Sequence, residues 1–385
     1  MDQLPFQVHQ WITVYIIEKI SELAAKRKIL MLEDSLKIPQ GWRESAEEIA
    51  SHGGPALAIG APGSGKTTFC LYLAGLFCRS GKKVVFIDAD PGQPFIGPPA
   101  VISLTAYTDA TDLLKRKNPM IMSFIGNTSP VGRLLEMISG LQKLCALAQS
   151  LEPDLVLINT CGLVNGGAAR ELKFHEIDML SPRSVIALQK GAEVEHLLAP
   201  HSHRAGLIIH RLPIAPDARI STAEARRAAR EQRFKEYFRG ADFQEIALHD
   251  VGIHGPGLGT GERLGFRDIN QLSKIFQAIV IHAELSADRL FLIVEGEYVE
   301  DELYTAKEQY KVREVMVVKR SELDHLLVGL NDDRNLCHGL GILRTIDLKE
   351  LSIRVITPLR DISGVRHISL GSLRVSPAGG ELGQV

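Results

Sequence analysis

Gly60-Ala61-Pro62-Gly63-Ser64-Gly65-Lys66-Thr67 decides the fold. Glycine stands at both places that a phosphate-binding loop requires, and lysine and threonine close the octet. The flanks agree with it. Ala56 to Ile59 is a short apolar run suited to a buried strand, and Thr68 to Phe77 is apolar enough for a buried helix. Strand, glycine loop and helix start is the context the motif needs. The glycines let backbone N–H groups curl around an anion, and the helix N-terminus adds partial positive charge. Lys66 is then expected to reach the β and γ phosphates, and the Thr67 hydroxyl to bind Mg²⁺.

Outward from the octet, apolar runs alternate with helical segments. Lys83 to Ile87 ends in Asp88-Ala89-Asp90, Met120 to Ile125 runs into Gly126-Asn127-Thr128-Ser129-Pro130, and Leu155 to Ile158 runs into Asn159-Thr160-Cys161-Gly162. Val185 to Leu188 and Gly206 to Ile209 are two further candidate strands. Continuous apolar strands alternating with helices predict an α/β fold, a parallel sheet with helices on both faces. The polar clusters then collect at the strand ends where such folds bind ligands. Two carboxylates spaced by one residue, Asp88 and Asp90, can divide the work of holding the metal and receiving the acceptor's proton. The Gly126–Pro130 cluster also reads as a simple βα turn, with Thr128 or Ser129 capping the next helix.

Residues 1–50 read as an amphipathic helical arm, suited to packing or to a protein partner. Residues 51–240 form the phosphate-loop domain. Its last segment is a basic helix, with Ser221 and Glu224 matching a capping box. Arg226, Arg230 and Arg233 share one face of that helix. Arginines on a mobile helix can neutralise charge over a nucleotide, although such a stripe also suits a solvated face. Beyond Ala241 come Gly-rich turns and short runs such as Arg289 to Val294, predicting a C-terminal β-rich domain over 241–385.

The composition bounds the function. Of 385 residues, 45% are hydrophobic and 23% charged, ordinary for a soluble protein. No apolar run approaches the ~20 residues of a membrane span. The N-terminus lacks the pattern of a signal peptide, and the five cysteines are scattered without a CxxC, so a cytoplasmic protein with reduced thiols is expected. A formal net charge of −2 limits any nucleic-acid contact to a local one. His196, His201 and His203 read as a surface cluster, because no acid or cysteine completes them at ligand spacing.

Taken together, GAPGSGKTT (60–68), IDADPGQP (87–94), FIGNTSP (124–130) and INTCGLVNG (158–166) resemble the polynucleotide 5′-hydroxyl kinase family. That family includes the kinase of the eukaryotic mRNA cleavage factor, the rRNA-processing kinases and shorter prokaryotic members. The likeness extends to the arginine-rich lid ending in EYFRG (236–240) and, loosely, to LVGLNDDRNLCHGLGIL (327–343) and GSLRV (371–375). It implies ATP with Mg²⁺, and transfer of the γ-phosphate to the 5′-OH of RNA or DNA. It also implies that Gly60, Ala61, Pro62, Gly63, Ser64, Gly65, Lys66, Thr67 and Thr68 bind the nucleotide. Thr67 and Asp88 would hold the metal, and Asp90 would act on the acceptor. Gln93 and Thr160 would lie near the γ-phosphate, and Arg226 and Arg230 would close over it. Two departures stand out. Leu163 occupies the place where the family often has a base-clasping tryptophan, and the eukaryotic N-terminal β domain is replaced by the helical arm. The rival expectations are a GTPase or ATPase switch and a nucleotide-binding scaffold without activity. The first lacks a guanine-reading N-K-x-D, Gln189-Lys190-Gly191-Ala192 being the nearest fragment.

Overall fold

A computed structural model of the chain describes residues 38–385, except 115–117, 217, 219–220, 256–257, 348–349 and 351. Most of the expected N-terminal arm (1–37) lies outside the described residues. Its end is helix α1 (Gln40–His52). Trp42, Ala46 and Ile49, spaced i, i+4, i+7, are its buried residues.

The phosphate-loop domain is built from β1 (Gly54–Gly60), α2 (Lys66–Arg79), β2 (Val84–Ala89), β3 (Val101–Tyr107), β4 (Ile121–Phe124), α3 (Leu134–Ser150), β5 (Leu155–Thr160), α4 (Gly167–Leu180), β6 (Ser184–Gln189) and β7 (Ile208–Pro213). The strands β2-β5-β1-β6-β7 are parallel, as the apolar runs predict. Successive side chains of a strand face opposite ways, so each face has its own core. Leu57 and Ile59 pack with Met137, Leu141 and Leu172 on the α3–α4 side. Ala56 and Ala58 pack with Trp42, Phe69 and Leu73 on the α1–α2 side. Two strands depart from the expectation. β3 was not foreseen, and β3 and β4 run antiparallel to their neighbours.

Helix α5 (Ala223–Tyr237) follows. It begins later than expected, and its cap is Thr222, whose Oγ1 accepts from Ala225 N at 3.2 Å; Ser221 does not cap it. The remaining chain forms β8 (Asp242–Ala247), β9 (Gly252–His254), β10 (Glu262–Arg263), α6 (Phe266–Phe276), β11 (Ile279–Leu285), β12 (Arg289–Glu295), α7 (Leu303–Tyr310), β13 (Glu314–Lys319), β14 (Leu326–Asn331), β15 (Cys337–Asp347), β16 (Ser352–Thr357), β17 (His367–Val375) and β18 (Glu381–Gln384). Strands β14 to β18, with β8 and β9, continue the first sheet through a single pairing, Cys337 with Met122. One face of this C-terminal sheet is covered by Phe234 and Phe238 of α5 and its continuation. The other receives Phe291 and Ile293 of a separate sheet, β10-β11-β12-β13. That second sheet is backed by α6 and α7 through Leu272, Phe276 and Ala306, helices that the glycine turns of this region had not suggested.

The two halves interlock at a pair of glycines. A Cβ on Gly371 would lie 2.6 Å from Gly126 O and 2.8 Å from Leu327 O, so only glycine lets β17 reach the loop after β4. Ser372 N then donates to Gly126 O at 2.9 Å, and Asn127 Nδ2 to Ser372 Oγ at 2.9 Å.

Candidate active site

The octet connects β1 to α2 at the C-terminal end of the parallel strands. Gly60 is dictated by space: a Cβ there would lie 2.4 Å from Ser64 Oγ and 2.6 Å from Leu188 O. Gly63 and Gly65 take φ of +77° and +93°, a region that favours glycine. Gly65 leads directly into α2, whose first residue is Lys66. Lys66 is buried, and its Nζ donates to Gly60 O at 2.7 Å and Ala61 O at 3.0 Å. Burial pulls its pKa below the ordinary lysine value, and the charge of Asp90 opposes that pull. Beneath the loop, Trp42 donates from Nε1 to Pro213 O at 2.8 Å and meets Phe69 edge-on at 5.1 Å.

Beside the loop is a cavity of about 370 Å³. Lys66, Thr67 and Thr68 line it on one side, Asp90 and Gln93 on another, and Arg226 on the lid side; Pro62, Gly63 and Gly65 also reach it. Asp90 Oδ1 accepts from Gly92 N at 3.0 Å and Gln93 N at 2.9 Å, an Asx turn that fixes the carboxylate. Gln93 Nε2 donates to Arg226 O at 3.1 Å, tying this turn to the lid helix. Gly162 sits against Pro62, where a Cβ would come within 2.8 Å. The loop after β5 is thereby pressed onto the phosphate loop.

Other expected site residues lie behind the cavity. Asp88 is fully buried: its Oδ2 accepts from Phe95 N and Ile96 N, and its Oδ1 from Asn159 Nδ2 at 3.0 Å. Burial pushes its carboxyl up to about 7. Asn159 Nδ2 also donates to Thr67 Oγ1 at 3.1 Å, so Asp88 meets Thr67 through one intervening amide. Thr160 is buried and donates to Ala58 O at 2.7 Å, bracing β1. Leu163 is half-buried against the α3–α4 core. Ser64 is buried within the loop.

The arginines of the lid part company. Arg226 lines the cavity and donates to Ser221 O at 2.5 Å. Arg230 forms a two-pronged ion pair with Glu381 of β18, at 2.5 and 2.9 Å, on the side of the helix held to the C-terminal sheet. A shared helix face predicted a shared target; packing against β18 gives them different ones. Neither Thr128 nor Ser129 caps α3, whose N-cap is Arg133. Asn127 Oδ1 instead accepts from Ser129 N at 3.0 Å within the turn. The histidines do not form a surface cluster either, since His201 is buried against Phe174.

Two features were missed in the sequence. One is Asn159 as the link between Asp88 and Thr67, visible only as the first letter of N-T-C-G. The other is Lys173 with Glu176 on α4, both fully buried, Nζ to Oε2 2.8 Å, with Cys161 Sγ 3.7 Å from the ammonium. Burial pulls Lys173 down, but Cys161 and Glu176 more than compensate and hold it above the ordinary lysine value.

The donors fit the groups implied. The Gly60 cradle, the left-handed glycines and the start of α2 suit a polyphosphate. The Thr67 hydroxyl and the buried Asn159 Oδ1, which has no partner among the described residues, are hard oxygen donors of the kind Mg²⁺ takes, with the Asp88 carboxylate behind them.

Comparison with known proteins places the family and the fold. Residues 60–240 match the family model described as mRNA cleavage and polyadenylation factor CLP1 P-loop. The polyribonucleotide 5′-hydroxyl-kinase of Pyrococcus abyssi is 32% identical over 93% of this chain and 98% of its own length. That of Methanocaldococcus jannaschii is 31% identical over 85% and 88%. A solved structure of a wild-type Clp1p–Pcf11p complex superposes with a TM-score of 0.53, at 14% identity, over 86% of this chain and 77% of its own, a likeness of fold.

Proposed function

The chain belongs to the polyribonucleotide 5′-hydroxyl-kinase family, and we propose that it transfers the γ-phosphate of ATP to the 5′-hydroxyl end of RNA. One observation carries the mechanism: Lys66, Thr67, Asp90 and Arg226 converge on a single cavity at the strand ends. The loop amides and Lys66 hold the phosphates, and Thr67, backed by Asn159 and Asp88, would hold a Mg²⁺ ion that would neutralise phosphate charge. Asp90, fixed by two backbone N–H groups, orients the 5′-OH and receives its proton as the oxygen bonds to the γ-phosphorus. The bond to the β–γ bridging oxygen breaks, leaving ADP and a 5′-phosphorylated end. Arg226 stabilises charge on the transferring group. In the lid conformation described, Arg230 anchors the helix.

DNA ends fall within the same proposal, because the Asp90 chemistry does not read a 2′-hydroxyl. So do a protein partner on the N-terminal arm or the C-terminal domain and a cytoplasmic location. The first is supported by exposed Phe266 and Tyr304, the second by five unbridged cysteines. Among the described residues no helix is long and apolar enough to cross a membrane.

Labelled ATP with 5′-OH RNA tests the reading. Label should move to the RNA, Lys66→Ala should abolish transfer, and Asp90→Asn should lower kcat by roughly 10²–10⁴ with ATP binding retained. Release of label only as inorganic phosphate would refute it.

A further inference from the structure

The molecule has a second cleft, on the far side of the loop after β4. The Asp90 turn touches that loop, since a Cβ on Gly92 would lie 2.7 Å from Thr128 O. Past the loop's crest two large apolar side chains stand in solvent: Val131 is 53% and Leu135 84% exposed. Behind them a cleft of about 310 Å³ runs between α3 and the C-terminal sheet. The stretch from Thr128 to Arg133 covers at most about 18 Å even when extended. The cleft is therefore within a few nucleotides of the acceptor hydroxyl.

Its two walls differ in chemistry. The α3 wall presents Arg133 and Lys143, with His254 opposite on β9. Glu136 is the only carboxylate in the lining, and it is already paired with Arg133 at 3.0 Å. Lys143 Nζ donates to Arg334 O at 3.2 Å on the exposed rim. The sheet wall is a polar network. Asn331, 1% exposed, donates from Nδ2 to Asn335 Oδ1 at 2.7 Å and to Ser369 Oγ at 2.9 Å. Its own Oδ1 has no partner among the described residues. A buried acceptor without a donor marks a place where an arriving N–H or O–H gains a bond.

We infer that this cleft is the track for the RNA downstream of its 5′ end. A phosphodiester sits between Arg133 and Lys143, and a base edge or 2′-hydroxyl faces the Asn331–Ser369 wall. The exposed Val131–Leu135 ledge gives the intervening base an apolar surface to lie on. Few charges are used, in keeping with a chain whose net charge is −2. The inference rests on the kinase reading and adds where its polymeric substrate runs.

The test compares two 5′-OH acceptors, a dinucleotide and an oligomer of about ten nucleotides, with the full chain and Lys143→Glu. Lys143→Glu should raise KM for the oligomer roughly tenfold, leaving its kcat and both constants for the dinucleotide near those of the parent chain. Direct binding of the oligomer without ATP should weaken by the same factor, and Leu135→Ser should weaken it as well. Equal effects on the two acceptors, or unaltered oligomer binding in both variants, would overturn the track and leave the cleft to a protein ligand. If the parent chain phosphorylates neither acceptor, the kinase reading falls by itself, and ATP-free binding still decides the cleft.

Discussion

Removing one partner of the Lys173–Glu176 pair should be far worse than removing both. The two groups are 2.8 Å apart and fully buried beneath the loop after β5. Glu176→Gln keeps the shape and takes away the charge that balances the ammonium. An uncompensated buried charge of this kind costs about 3–5 kcal/mol. Replacing the pair by apolar groups, Lys173→Met with Glu176→Leu, removes both desolvation penalties, and similar exchanges are neutral or stabilising by about 1–4 kcal/mol. Trp42, 1% exposed and stacked edge-on against Phe69, reports on this half of the molecule. Urea unfolding followed by its fluorescence should show the midpoint falling by on the order of 1 M for Glu176→Gln and recovering in the double variant. A single variant as stable as the parent, or a double variant as unstable as the single, would refute the argument. The double variant also separates fold from field. Lys173 and Asp90 feel one another's charge, as do Lys173 and Lys66, so phosphate transfer should slow in a protein that remains folded.

Gly371→Ala should destabilise by about 1–3 kcal/mol, because the methyl group meets two backbone oxygens that cannot swing aside. Thermal melting reads that loss, and kcat should fall with it as the 126–130 loop shifts. Arg226→Ala should reduce kcat on the scale of other transition-state arginines, ~10³-fold or more, with RNA affinity little altered. Arg230→Ala and Glu381→Gln should instead give matching, milder defects; a double-mutant cycle showing no coupling between them would mean that Arg230 acts elsewhere.

Local chemistry explains what was readable. The phosphate loop is encoded within eight residues, by glycines whose dihedrals and clearances nothing else satisfies, and its flanking strand and helix are read from continuous apolar runs. The Asp88–Asp90 spacing places two acids at one strand end, but whether each faces the cavity depends on what packs behind, and Phe95, Ile96 and Asn159 claim Asp88. The lid shows the same limit more sharply. Helical periodicity aligns Arg226 with Arg230, yet Glu381 comes from 151 residues downstream. Lys173 and Glu176 look like an ordinary i, i+3 surface pair, and only the cover of neighbouring elements buries them. β3 escaped because Ser103 and Thr105 interrupt its apolar run, although both are buried.

The glycine interlock has a consequence in time. The 126–130 loop is held by a strand 245 residues further along the chain, through the Asn127–Ser372 bond. At synthesis rates of about 5–20 residues per second, some tens of seconds pass between the emergence of one partner and the other. The phosphate loop needs nothing so distant, so a growing chain can form its nucleotide cradle well before the 126–130 loop takes its final shape. In a growing chain, a nucleotide-binding loop is therefore expected to form before the 126–130 loop is set for phosphate transfer.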